Sequence, residues 1–234
     1  MSLSPLQTDT TGRAAAPEDL SPSVAMSRLE RALVSLVVGV LCPAALFFLG
    51  WWVTAALNIY NLAPIPESAI TVAAFIGLGA GVILDLLFLR DWVSSFYVWD
   101  YRLLGLAYLF GSAVAVALLM GLPLANIVWG SLAGVYVGRR QHHAAANESA
   151  LQHAAGMVGA FTALVTGLEA LPIGLLALGE GFVVETIHAV TGLGPQALAG
   201  PIGVGLVVLL CLLLMWIQMW CTRTAVRIAF QLWI

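Results

Sequence analysis

The sequence predicts an all-α, polytopic integral membrane protein, with six transmembrane helices behind a disordered N-terminal tail and both termini in the cytoplasm. Two observations carry this prediction. Only 9% of the residues are charged and 61% are apolar, with a mean hydropathy of +0.99. A soluble domain carries about 25% charged residues, so most of this chain needs lipid as its solvent. The nine cationic side chains are all arginines, and all nine fall in alternate gaps between long apolar stretches. Arginine is retained on the side of the membrane where insertion begins, and that rule sets the orientation.

The first 27 residues are rich in Ser, Thr, Pro and Ala, with Arg13 their only cation and no apolar core of a signal peptide. They read as a disordered cytoplasmic tail, and Asp9, Glu18 and Asp19 argue against a transit peptide. Ser27-Arg28-Leu29-Glu30 is a capping-box pattern that opens the first span, about residues 32–57, with Pro43 as a kink and Trp51-Trp52 at the outer interface. The second span follows Pro64-Ile65-Pro66-Glu67 and covers about residues 69–89, ending at Arg90. Spans three and four cover residues 103–120 and 123–137, joined by Gly121-Leu122-Pro123. One continuous helix over both would be about 52 Å long, against about 30 Å of hydrocarbon, so a tight hairpin is required. Span five covers residues 154–178 with Pro172 inside it, and span six covers residues 202–222.

Residues 1–31, 90–102, 139–153 and 223–234 then lie inside and hold every arginine, while the outer loops carry Glu67, Glu180 and Glu185 and no cation. Three segments read as interfacial. Trp92, Phe96 and Trp99 recur at helical spacing as a short helix lying flat at the inner headgroups. Arg223, Arg227 and Gln231 form a polar stripe, either on a surface helix or on a straight continuation of span six. Phe182, Thr186, Ile187 and Val190 share one face of a short outer helix.

Helices in lipid associate through close packing of small residues. Span four repeats Asn126, Gly130, Gly134 and Gly138, and span five repeats Ala155, Gly159, Ala163 and Gly167. The expectation is that these two ridges face each other. Gly77 and Gly81 make a shorter ridge on span two. Such faces also serve homo- or hetero-oligomers.

A carboxylate inside a span is costly and marks a functional hypothesis by default. Asp85 lies five residues before Arg90, close to the cytoplasmic edge, where pairing with Arg139 or His153 competes with a relay role. Thr162, Thr166 and Glu169 share one face of span five, and Asn126 is expected at a similar depth. Together they form a candidate binding pocket opening outwards beneath an acidic surface, which favours cations over anions. The plainer alternative leaves the threonines bonded to their own backbone.

Catalytic and metal signatures are lacking. Glu185-x-x-His188 has the spacing of one half of a di-iron motif and lacks the other half. His142-His143 beside Arg139-Arg140 reads as a basic cluster at anionic headgroups. Gly77-x-Gly79-x-Gly81 sits inside an apolar span and reads as packing. Cys42, Cys211 and Cys221 have no metal spacing and read as small apolar residues. No cofactor, metal or nucleic-acid partner is expected, and an enzyme is disfavoured for want of a nucleophile. The expected function is small-solute or ion transport, or membrane substrate binding, in a bacterial inner membrane. The alternative is a non-catalytic accessory or assembly subunit of a larger membrane complex.

Overall fold

The computed structural model describes residues 26–118, 124–180, 184–185, 188–189, 192, 194 and 200–232. Six long helices dominate, and no strand occurs among the described residues. They are α1 (Arg28–Ile59), α2 (Glu67–Ser95), α3 (Tyr101–Leu118), α4 (Ala125–His143), α5 (Glu148–Ala177) and α6 (Pro201–Gln231). All except α4 are long and apolar enough to cross a membrane. The outer surface agrees with that reading: Leu86 is 82% exposed and Leu176 is 76% exposed. Aliphatic side chains left open on this scale fit contact with lipid and not with water. The tail over residues 1–25, the Gly121–Pro123 hairpin tip and most of the Phe182–Val190 segment lie outside the described residues.

α1 and α2 form an antiparallel hairpin in which glycine removes every obstacle to backbone contact. Gly77 lies against the Leu46 carbonyl, Gly81 against Pro43, and Gly50 against Ala73. Pro43 is accommodated within α1 without ending it. The remaining four helices form a second group centred on α6. Gly130 faces Gln218, Gly134 faces Thr222, and Gly138 faces Val226, so α4 and α6 run parallel. Gly159 meets Met219 and Arg223, and Gly167 meets Met215, so α5 and α6 run antiparallel. The expected ridge-to-ridge contact of α4 with α5 is therefore corrected: α6 lies against both ridges. Direct contact between α4 and α5 is concentrated near their connecting turn, where Val137 packs with Leu151, Ala155 and Val226. α3 runs back along α4, placing Ser112 beside Asn126 at one end and Tyr101 beneath Arg140 at the other.

Two boundaries differ from expectation. α4 continues past Val137 to His143, because its last turns are packed and hydrogen-bonded rather than solvated. Trp92 belongs to α2 and not to a separate flat helix; a 3-10 turn at Phe96–Val98 follows α2 directly. α6 runs without interruption through Arg223, Arg227 and Gln231, which selects the straight continuation.

The eight described arginines gather at the end of the fold where α1 begins, α2 leads into α3, α4 leads into α5 and α6 finishes. Glu30 organises this end. Ser27 caps α1 by accepting from the Glu30 backbone N–H at 3.1 Å, which is half of the expected box. The Glu30 carboxylate turns elsewhere, to Arg139 Nε at 3.0 Å, Arg139 Nη2 at 3.1 Å, His143 Nε2 at 2.9 Å and the Tyr97 hydroxyl at 2.7 Å. Arg139 also donates to the Leu232 carbonyl at 2.6 Å, and the carboxylate beside it raises the already high pKa of its guanidinium. His143 is thus part of a buried ion-pair network and not simply a headgroup contact.

Candidate functional site

The interior of the α3–α6 group is polar in a way that its apolar sequence conceals. Ser112, Asn126, Thr162, Thr166, Gln218 and Thr222 all have no exposed surface. Gln218 and Thr222 sit where glycines of α4 permit close approach. Gly111 receives the Trp129 indole, and Gly130 receives the Gln218 amide.

Glu169 on α5, itself half-buried, contacts this interior. The Ser112 hydroxyl lies 2.7 Å from both carboxylate oxygens, and the Asn126 amide donates to Oε2 at 2.5 Å. Ser112 also lies 3.4 Å from Asn126 Oδ1. Glu169 makes no ion pair among the described residues. Among the described residues its partners are thus neutral donors, and a carboxylate on so apolar a helix is a functional hypothesis by default.

A second line of polar groups lies along α5 and α6. Thr162 and Thr222 share a hydrogen bond at 3.0 Å, and Gln218 Nε2 lies 3.4 Å from Thr222 Oγ1. Thr162 and Thr166 also donate to backbone carbonyls of their own helix, at Gly159 and Thr162 respectively. Among the described residues, three buried polar atoms around this interior have no hydrogen-bond partner: Tyr108 Oη on α3, Trp129 Nε1 on α4 and Gln218 Oε1 on α6. Buried polar groups are almost always satisfied, so three on facing helices mark unused capacity for a polar ligand.

The structure therefore brings Glu169 and Asn126 together, with Thr162 and Thr166 along the same face of α5. It does not bring Asp85 to them. Asp85 is buried in the α1–α2 hairpin, with one carboxylate oxygen unpartnered. The expected pairing with Arg139 is corrected, since Glu30 holds that guanidinium, and His153 is exposed on α5. Sequence reasoning missed Ser112, Gln218 and Thr222. Gln218 and Thr222 are four residues apart on α6, a spacing that was available as a signal; Ser112 stands alone on α3 and offers none. Among the described residues no group of three or more His, Cys, Asp or Glu side chains is placed to hold a metal ion. Comparison with family models, with curated proteins and with solved structures found no match to this chain.

Proposed function

We propose that the chain is a six-span bacterial inner-membrane protein, with both termini cytoplasmic, that binds a small solute or ion at Glu169 and moves it across the membrane. The observation that carries this reading is the half-buried Glu169 carboxylate, bonded among the described residues to Ser112 and Asn126. A carboxylate left without a cationic partner in such surroundings is too costly to be kept for packing alone. The unpartnered atoms of Tyr108, Trp129 and Gln218 add donors and an acceptor around it. Arginines in alternate segments support the six spans and the orientation.

The accessory-subunit reading draws its strength from open small-residue faces. The ridges on α4 and α5 are covered by α6, and that on α2 by α1, which leaves Gly79 and Gly205 unopposed. The transport reading is favoured for that reason.

The test is a thermal-unfolding screen of the detergent-purified protein against proton concentration, alkali and alkaline-earth cations, and small polar solutes. A ligand that binds only the folded state at 100 times its Kd stabilises by about 2.7 kcal/mol. The expected result is that at least one of these raises the Tm and that Glu169→Gln removes the shift. An unchanged shift in Glu169→Gln overturns the assignment of the site.

A further inference from the structure

The ring of hydrogen bonds at Glu169 holds more acceptors than protons unless the carboxyl carries a proton of its own. Ser112 and Asn126 have no exposed surface, so each finds its partners inside the helix group. The Ser112 hydroxyl has a single proton. Three acceptors lie within its reach: both Glu169 oxygens at 2.7 Å and Asn126 Oδ1 at 3.4 Å. With Glu169 ionised, that proton goes to the carboxylate, and among the described residues Asn126 Oδ1 receives nothing. Buried acceptors are almost always paired. With a proton on Oε1, every group of the ring is used once. The carboxyl donates to Ser112 Oγ, Ser112 donates to Asn126 Oδ1, and the Asn126 amide donates to Oε2. Turning the Asn126 amide over leaves the count unchanged, because the ring then runs the other way and needs the same proton.

We infer that Ser112, Asn126 and Glu169 form a proton-binding site, occupied in the ligand-free protein and vacated when the ligand of the proposed function arrives. The inference rests on that reading of Glu169. Protonation takes one proton from the medium and forms one O–H bond on Oε1. Release returns the proton and leaves the carboxylate to face the incoming ligand. Glu169 is half-buried whereas its two partners are fully buried, so exchange takes place at the carboxyl. The titratable neighbours do not compete for this proton. Tyr108 on α3 faces the carboxylate, and Cys211 on α6 packs beside Ala170. A phenol and a thiol both hold their own protons at neutral pH. α4 presents the neutral Asn126, and among the described residues no ion pair involves Glu169. The consequence is an exchange: a ligand that takes the carboxylate as its partner releases one proton.

The experiment is infrared difference spectroscopy of the detergent-purified full chain in deuterium oxide, wild type against Glu169→Gln, over a pH series. The expected result is a carboxylic-acid C=O band at neutral pH that the variant lacks and that disappears reversibly as the pH is raised. Asn126→Leu removes the donor to Oε2 and moves the band to higher frequency, which a merely structural Asn126 would not do. If Asn126→Leu fails to fold, the wild type and Glu169→Gln still decide the question. Absence of the band at every pH, or a band that ignores pH up to unfolding, overturns the inference. Sodium, potassium, magnesium and calcium chlorides, added singly at fixed pH, separate it from the reading it rests on. A cation that raises the Tm through Glu169 is expected to remove the band. One that raises the Tm through Glu169 and leaves the band intact overturns the exchange but not the ligand site. A Tm shift that survives in Glu169→Gln, with the band present in the wild type, overturns the ligand site but not the bound proton. If no cation moves the Tm, the band and its response to pH decide alone.

Discussion

Glu30 is a buried carboxylate and Glu169 a half-buried one, and their partners separate their roles. Glu30 faces a guanidinium, an imidazole and a phenol, which together form a closed electrostatic unit. Among the described residues Glu169 faces a hydroxyl and an amide. Removing one member of a buried pair costs about 3–5 kcal/mol, because the other charge is left stranded. Glu30→Gln is therefore expected to lower unfolding stability in detergent by that order, with Arg139→Gln costing a similar amount. The double variant should cost far less than the sum; additive losses would show that the two do not act as a pair. Glu169→Gln leaves no stranded cation, so it should change ligand binding while shifting unfolding by under about 1 kcal/mol. Thr162, Thr166, Glu169 and Asn126 were legible in the sequence because helical spacing puts three of them on one face and a neighbouring small-residue ridge carries the fourth. The partners of Glu30 were not legible. The local pattern with Ser27 offers a nearer use for that side chain, and Arg139 lies 109 residues away.

Between elements, the small-residue ridges say that a helix approaches closely but not which helix. That is why α4 and α5 carried readable ridges while their common partner, α6, was missed. α6 is lined by the larger Met215, Gln218, Met219 and Thr222, which fill the notches that glycine leaves. A methyl group at Gly134 would sit 2.5 Å from the Thr222 carbonyl oxygen, with no flexible side chain to yield. Gly134→Leu should accordingly prevent folding, and Gly134→Ala should cost about 1–3 kcal/mol as overpacking does. At Gly79 nothing lies within 4 Å of the same methyl. Gly79→Ala should be neutral or stabilising by up to about 1 kcal/mol through helix propensity. Matched unfolding curves for the two alanine variants check the pair, and equal losses would mean that backbone effects rather than packing govern both. Helix boundaries followed the same logic. Apolar runs located every long helix, but the end of α4 is set by the partners of Arg139 and His143, which hydropathy does not see.

As a whole, the molecule consists of an α1–α2 hairpin and an α3–α6 group, tied at the arginine-bearing end. Glu30 reaches Arg139 and His143 there, and Tyr97 stacks on Tyr136 with ring centroids 5.7 Å apart. This distribution places Glu169 and its partners in one group and Asp85 in the other. The proposed orientation, with the arginine-bearing end in the cytoplasm, rests on the charge rule. Reporter fusions at positions 62 and 141 should place 62 outside and 141 inside, and the reverse pattern would invert every statement about access to Glu169. The central claim is that Glu169 holds a transported ligand. Its most direct test is native mass spectrometry of the tagged protein and its Glu169→Gln variant, each extracted gently from its own membrane. The account predicts a chain without a stoichiometric protein partner, carrying a small molecule or ion that the variant lacks. A stoichiometric partner retained by both proteins, with no small ligand on either, would contradict it and make the chain a subunit of that partner's complex.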